Sequence, residues 1–226
     1  SAIAIDKDES KRAADACVRE LGLGRVRVSG TVPFDPSDDA APMGFPFVVK
    51  PTNEGSTIGL HICRDEADWR HAHERTARAG WDAMAEPFID GRELTIGMID
   101  DGVGLGCRPI IEITPSEGTY DYEAKYERDD TSYTIDPEIP EQTGREMRAL
   151  CDALTARIGV RDLCRVDFIM DDVGVAWFLE LNTMPGFTSH SLVPMSCAEM
   201  GLGGLCDRLV ERALARAGEG TTARSV

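Results

Sequence analysis

The sequence predicts an α+β fold in two lobes, and three observations support this. Short apolar, β-branched segments bounded by Gly, Pro and Asp alternate with longer segments of helical period. Tight turns such as Asp90-Gly91 join successive strand candidates, which should therefore pair antiparallel, with the helices packed on them. A chain of 226 residues is long enough for one large domain or two small lobes.

Four segments have the apolar spacing of helices. In the third, Met147, Leu150 and Leu154 recur at helical intervals, and in the first, Gly22 provides a stop signal. The predicted helices are Asp6–Leu21, Asp65–Gly80, Glu141–Ile158 and most of Met195–Ala217, followed by a polar, frayed tail over 218–226.

Eight segments have the composition of strands, and two longer segments do not. Residues 30–44 are rich in Pro, Asp and Gly and predict a loop. Residues 114–140 show little regular pattern, and so long a loop in a compact domain is often a functional lid. The predicted strands are Val26–Val28, Phe45–Lys50, Ile58–Cys63, Met84–Ile89, Glu93–Ile99, Cys107–Ile113, Cys164–Met170 and Val175–Leu181.

Composition excludes several classes of protein. A net charge of −16 argues against binding nucleic acid, which requires clustered Lys and Arg. Seven Cys without a CxxC pair argue against a disulfide framework or a zinc site. The sequence has no apolar run of the roughly 20 residues that span a bilayer, so no membrane partner is expected. No signal peptide precedes Ser1, and we expect a cytoplasmic protein.

The segment from Arg165 to Asn182 contains the strongest candidate site. Arg165 and Asp167 lie two positions apart on one predicted strand, and Glu180 and Asn182 do so on the next. Because same-face residues of a strand repeat every two positions, a hairpin would set the two pairs side by side. Three oxygen ligands of the kind that Mg²⁺ prefers then converge beside a cation, as in ATP sites. The alternative of ordinary surface ion pairs is disfavoured, because Asn182 leads directly into a Pro-Gly turn.

Two other segments give weaker signals for phosphate binding. Lys50 ends an apolar strand before a Gly/Ser turn, where backbone N–H groups can hold phosphate oxygens, although the sequence has no Walker loop. Lys125 and Tyr126 lie in the long loop and suit a lid that closes over a phosphoryl group. A solvated Lys and an ordinary surface loop stay open as alternatives.

The turn at Asp90-Gly91 is flanked by residues that could contact a nucleoside. Glu93 could accept hydrogen bonds from a ribose, and the backbone at Pro87 and Ile89 could contact an adenine edge. Taken alone, the segment is more often a plain hairpin. The four His form no zinc-binding set.

With these motifs in order, the sequence resembles the D-alanine–D-alanine ligases of the ATP-grasp superfamily. The resemblance covers nearly the whole chain, and the last two motifs are the most specific. The motifs are Asp6-Lys7, Val48-Val-Lys50-Pro, Gly55-Ser56, Tyr120–Tyr126, Arg165-Val-Asp167 and Glu180-Leu-Asn182-Thr-Met-Pro-Gly186 continuing to Ser191-Leu192.

The resemblance implies a role for each matching position. ATP contacts fall to Lys7, Lys50, Glu86, Ile89, Glu93 and Lys125. The ligands of Mg²⁺ or Mn²⁺ would be Asp167, Glu180 and Asn182. The catalytic groups would be Ser56, Tyr126, Arg165 and the Gly186 backbone N–H. The carboxylate of the second amino acid would be bound by Ser191 and the Leu192 N–H.

The resemblance also implies an architecture and a reaction. It divides the chain into a small lobe, 1–92, and a C-terminal lobe, 93–226, which holds the lid loop 114–140 and the metal site, with the nucleotide between the lobes. ATP converts one D-alanine to an acyl phosphate, and the amine of a second D-alanine displaces phosphate to give the dipeptide for peptidoglycan precursors.

One departure from the family keeps alternatives open. The family carries an N-terminal α/β domain before the motif at Lys7, and this chain begins almost at Lys7. The chain could therefore be an ATP-binding module that needs a missing N-terminal domain or partner chain, or a ligase for another amino acid. The oligomeric state is left open for the same reason.

Overall fold

The computed structural model describes residues 6–53, 58–100, 104–114, 131–188, 191–198 and 200–222. The helices are α1 (Lys7–Leu21), α2 (Glu66–Ala79), α3 (Glu141–Ile158), α4 (Leu192–Ser196) and α5 (Gly201–Thr222). The strands are β1 (Val26–Val28), β2 (Val32–Pro33), β3 (Phe47–Pro51), β4 (His61–Cys63), β5 (Ala83–Pro87), β6 (Arg92–Asp100), β7 (Leu105–Thr114), β8 (Ser132–Ile135), β9 (Leu163–Met170) and β10 (Ala176–Asn182).

The larger sheet has six strands in the order β1-β10-β9-β6-β7-β8. Its β9–β10 and β6–β9 ladders are antiparallel, and β1 adds in parallel to β10. Helices α1 and α3 cover one face, and their apolar stripes form the main core with alternate residues of the strands. This core includes Ala14, Met147, Leu150, Val166, Phe168 and Phe178.

The smaller sheet has four strands in the order β2-β5-β3-β4 and packs against α2. Phe47 and Val49 of β3 point into a core with Trp69 of α2. Since side chains alternate along a strand, the residues between and after them, Val48 and Lys50, face the other way. That second face forms one wall of the cleft described below.

A tight turn joins the last strand of the smaller sheet to the first long strand of the larger one. Gly91 lies in this turn between β5 and β6. A Cβ atom added at Gly91 would lie 2.2 Å from the carbonyl oxygen of Met170. Only glycine permits so close a backbone approach, and this crossing sets the two sheets beside each other.

Helix α1 is fixed at its start by a side-chain cap. The Asp6 carboxylate accepts hydrogen bonds from the backbone N–H groups of Asp8 and Glu9, at 2.9 and 3.0 Å. The Lys7 N–H donates to the Thr52 carbonyl oxygen at 3.2 Å. The cap therefore places the first turn of α1, with Lys7, against the end of β3.

The structure departs from the predicted elements at several places. It contains β2 within the expected loop 30–44 and β8 within the expected loop 114–140, because both short strands pair with longer neighbours that local composition does not reveal. The expected C-terminal helix is two helices, α4 and α5, and α5 continues to Thr222 into the expected frayed tail.

Helix α1 and strand β1 precede the smaller sheet in sequence but lie with the larger one, since β1 pairs with β10. The lobe boundary between residues 92 and 93 stays a prediction. No helix in the described part of the chain is both long and apolar enough to cross a bilayer. All seven cysteines are free thiols.

Candidate functional site

A cleft lies between the two sheets, with about 1180 Å³ of space between its walls, part of it open to solvent. Apolar side chains from both sheets line it, among them Val48, Ile62, Ile113 and Ile169. Nine of the predicted site residues also line it: Lys7, Lys50, Glu86, Ile89, Glu93, Arg165, Asp167, Glu180 and Leu192. An apolar cleft with a few converging charged groups is the usual form of a small-molecule site.

Strands β9 and β10 bring the predicted metal ligands together. Asp167 pairs with Glu180, and Arg165 pairs with Asn182, so all four side chains share one face of the sheet. A β-bulge between Phe178 and Glu180 shifts the register by one residue. Without that shift, Glu180 would follow Phe178 onto the buried core face, and with it both Leu179 and Glu180 line the cleft.

Arg165 and Asp167 form a two-point ion pair. Arg165 Nε lies 2.9 Å from Asp167 Oδ1, and Nη2 lies 2.8 Å from Oδ2. Thr95, which is directly opposite Asp167 on β6, donates its hydroxyl to Oδ1 at 2.6 Å. The pair is mostly buried, with side-chain exposures of 14% and 16%, so these contacts hold the carboxylate in one orientation.

Glu180 and Asn182 differ in their surroundings. Glu180 Oε2 lies 3.9 Å from Lys7 Nζ, which links β10 to the start of α1. The Asn182 side-chain oxygen accepts the Met184 N–H at 2.9 Å and so shapes the turn after β10. An amide oxygen has a second lone pair, so this contact leaves one for another donor or for a metal ion.

The smaller sheet supplies a buried carboxylate, Glu86, between two lysines. Lys50 Nζ binds Glu86 Oε1, and Lys11 Nζ lies 2.5 Å from Oε2. Burial alone would raise the pKa of Glu86, but the charges of Lys50 and Lys11 outweigh it and lower the pKa to about 2. Glu86 is therefore ionised across the physiological range.

The predicted contacts for the second amino acid lie together at the start of α4. A Cβ atom added at Gly186 would lie 3.0 Å from the Ser191 hydroxyl oxygen. That oxygen accepts the Thr188 N–H at 3.0 Å and is 2.9 Å from the Thr188 hydroxyl. Ser191 precedes α4 as its N-cap residue, and Leu192 faces the cleft.

Three predicted residues, Ser56, Lys125 and Tyr126, lie outside the described residues. Their proposed roles in the loop and the lid stay predictions.

The donor set fits Mg²⁺ better than a softer metal. Asp167, Glu180 and Asn182 offer oxygen atoms from one face of two paired strands. Within the described ranges, no three or more His, Cys, Asp or Glu side chains form a metal-binding group. Two carboxylates and an amide leave about half of an octahedral Mg²⁺ shell for other oxygen ligands, such as phosphate.

Sequence reasoning missed Lys11, Ser29 and Thr95, which hold the predicted residues in place. The Lys11 ammonium donates to the Ser29 hydroxyl at 2.7 Å, and the Ser29 hydroxyl lies 3.2 Å from Glu86. Lys11 lies on the buried side of α1, one turn after Lys7, and a lysine among the apolar positions of that helix was the one local signal. Thr95 carried no signal before the β6–β9 register was known.

The two sheets, their helices and the cleft between the sheets define the class of protein. Two α+β units enclose a cleft that is lined by two lysines and a carboxylate pair, and the chain has the ATP-grasp fold. It matches a D-alanine–D-alanine ligase structure from Bacillus anthracis with a TM-score of 0.75 and 27% identity, over 96% of this chain and 70% of that one. A structure of the Bacillus anthracis enzyme complexed with ATP matches with a TM-score of 0.73 at 24% identity, which supports the fold alone.

The family model described as D-ala D-ala ligase C-terminus matches residues 37–214, and the chain belongs to this family. A D-alanine–D-alanine ligase of Bordetella pertussis is 40% identical over 160 residues, which cover 71% of this chain and 51% of the relative. One of Dechloromonas aromatica is 40% identical over 205 residues, which cover 89% of this chain and 65% of the relative. The chain thus spans between half and two thirds of the length of these relatives.

Proposed function

We propose that this chain is the ATP-binding and catalytic part of a cytoplasmic D-alanine–D-alanine ligase, which joins two D-alanines for the synthesis of peptidoglycan precursors. One observation carries the proposal: the carboxylates of Asp167 and Glu180 lie across one ladder and face the same cleft as Lys7, Lys50 and Glu86. A cleft that combines lysines with oxygen ligands suits a nucleoside triphosphate and its metal ion. Membership of the family supports the substrate, D-alanine.

In the proposed site, the nucleotide lies between the two sheets. Lys7 and Lys50 would contact the phosphates, while Glu86, the backbone at Ile89 and Glu93 would contact the adenosine part. Mg²⁺, or Mn²⁺, held by Asp167, Glu180 and Asn182 would supply positive charge at the transferred phosphate. Lys125, Ser56 and Tyr126 are proposed to complete the site from outside the described residues.

The proposed reaction has two steps. A carboxylate oxygen of the first D-alanine attacks the γ-phosphorus, the bond to the ADP oxygen breaks, and an acyl phosphate forms. The neutral amine of the second D-alanine then attacks the acyl carbon, loses a proton, and inorganic phosphate leaves. Arg165 and the Gly186 N–H would stabilise the oxyanion of this second step, a contribution of roughly 3–4 kcal/mol for each donor. Ser191 and the Leu192 N–H would hold the second carboxylate.

A second candidate is an ATP-binding module that is inactive without a further domain or partner chain. The length of the chain supports this second candidate, because the chain spans 51% of the Bordetella pertussis relative. A third keeps the reaction and changes the amino acid, since the described residues include no proposed contact for the amine of the first substrate.

One assay separates these candidates. The chain is incubated with Mg–ATP and each of a panel of D- and L-amino acids, and ADP, phosphate and dipeptide are measured by coupled assay and mass spectrometry. The same panel is repeated with a longer version of the protein. D-alanyl-D-alanine from the chain alone supports the first candidate, and ATP binding without turnover supports the second. Turnover with another amino acid supports the third, and an absence of ATP binding contradicts all three.

A further inference from the structure

Two lysines and one carboxylate form a buried cluster beneath the cleft. Lys11 and Lys50 bind opposite oxygens of Glu86, and the Ser29 hydroxyl lies between Lys11 and Glu86. The side chains of Lys11, Lys50 and Glu86 are 3%, 9% and 6% exposed. Fully buried charges of this kind persist only when each is paired and hydrogen-bonded.

The partners come from different parts of the fold. Lys50 and Glu86 lie on neighbouring strands of the smaller sheet, whereas Lys11 lies on α1, which packs on the larger sheet. Lys50, Glu86 and Ser29 line the cleft, and Lys11 contacts Glu86 from the α1 side. A ligand in the cleft can therefore reach Lys50 while the contact between Lys11 and Glu86 stays in place.

The cluster carries one positive charge in excess, since two ammonium groups share one carboxylate. Burial lowers the pKa of Lys11 and the attraction of Glu86 opposes that effect. An excess charge in a buried cluster is costly, and an anion placed beside Lys50 would offset it. While Lys50 is the main partner of Glu86, the carboxylate compensates the charge of Lys50, and Lys50 attracts such an anion only weakly.

We propose that Lys11 is a positioning residue: it holds Glu86 ionised and paired, and so releases Lys50 to bind a phosphate of the nucleotide. The inference rests on the proposed function, because it concerns how the same cleft binds ATP. It assigns Lys11 no contact with the nucleotide. Ser29 assists by accepting from Lys11 and donating to Glu86.

The proposal predicts a loss specific to phosphate. In Lys11→Met, Glu86 retains Lys50 as its one cationic partner within the cluster, and Lys50 is held back from the phosphates. We expect affinity for Mg–ATP to fall about tenfold, and affinity for adenosine to change less than about twofold. Both are measured by titration with the full chain, with ATP by calorimetry and adenosine by NMR.

A double-mutant cycle separates this role from a merely structural one. In the Glu86→Gln background the carboxylate of residue 86 no longer holds Lys50, so adding Lys11→Met should cost less than about twofold in ATP affinity. Arg12→Met is the matched control, since it removes a cation from the same helix, one whose side chain is 74% exposed and pairs with Asp8. It should leave ATP affinity at the wild-type value.

Several outcomes would overturn the proposal. The first is an ATP affinity of Lys11→Met equal to that of the wild type. The second is a loss of adenosine affinity in Lys11→Met as large as its loss of ATP affinity. The third is a loss of ATP affinity on adding Lys11→Met that is as large in the Glu86→Gln background as in the wild type. Should Lys11→Met fail to fold by circular dichroism, Ser29→Ala decides, with a smaller loss for ATP and none for adenosine expected. ATP binding by the wild type with no effect of these variants rejects this inference alone, whereas no ATP binding by the wild type rejects the proposed function as well.

Discussion

Asp167 lies directly opposite Glu180 across the β9–β10 ladder, and both carboxylates face the cleft between the two sheets. Two carboxylates in such an arrangement repel each other unless cations lie between or beside them. Arg165 pairs with Asp167, and Lys7 lies 3.9 Å from Glu180. The carboxylates of this wall can therefore accept a metal ion, and the neighbouring Arg165 and Lys7 can accept an anion bound to that ion.

The first prediction concerns Glu180. Glu180→Gln removes one carboxylate from the proposed metal site and keeps the size of the side chain. We expect ADP release with D-alanine to fall roughly 100-fold or more, with little change in melting temperature, because metal charge stabilisation is worth several kcal/mol. A steady-state assay at varied Mg²⁺ measures it. Glu141→Gln, at a side chain that is 87% exposed, is the control, and equal activity in both variants would remove Glu180 from the site.

The second prediction concerns Thr95, whose hydroxyl donates to Asp167 Oδ1 at 2.6 Å. Thr95→Val keeps the shape of this buried side chain and removes the donor. We expect the free energy of unfolding to fall by about 1–3 kcal/mol and the Mg²⁺ requirement to rise. Thr95→Ser retains the hydroxyl and should need no more Mg²⁺ than the wild type. If valine and serine behave alike in Mg²⁺ titrations, the hydroxyl has no part in orienting Asp167.

The third prediction concerns Gly186. The Cβ of Gly186→Ala would lie 3.0 Å from the Ser191 hydroxyl oxygen, so that hydroxyl must move. We expect the KM for the second D-alanine to rise several-fold while the KM for ATP stays constant. Gly24→Ala serves as the control, since an added Cβ there meets no atom within 4 Å. A rise in both KM values would mean that the substitution disturbs the whole cleft.

The fourth prediction concerns acid stability. The pKa of Glu86 falls from 4.5 to about 2, so the folded state holds the ionised form more strongly than the unfolded chain does. This stabilisation is complete above pH 4.5 and is lost as pH falls from 4.5 towards 2, with a slope of up to about 1.4 kcal/mol per pH unit.

Urea unfolding at a series of pH values measures this slope for the wild type and for Glu86→Gln. The variant lacks the titrating group and should lose less stability over the same interval. Parallel curves for the two proteins would show that Glu86 titrates normally in the folded state. Asp8 and Glu112, whose pKa values are also lowered, contribute equally to both proteins and cancel in the comparison.

Much of the local structure was predictable because its signals are local. The helix from Lys7 to Leu21 follows from the Asp6 cap and Gly22, and the strands beside Gly91 follow from their apolar composition. The short strands β2 and β8 were missed, since a strand of two to four residues is stabilised by its neighbours rather than by its own sequence. The pairing of β1 with β10 was missed for the same reason: those residues are far apart in the chain.

The sequence by itself determined which residue types are available for the site: Lys7, Lys50, Asp167, Glu180 and Asn182, with their spacing along the strands. It could not determine the face on which the last two lie. Strict alternation from the buried Phe178 directs Glu180 into the core, and the β-bulge reverses this. Only the tertiary structure decided that, because the bulge forms where β10 pairs with β9, and only the same packing brought Lys11 of α1 to Glu86 of β5.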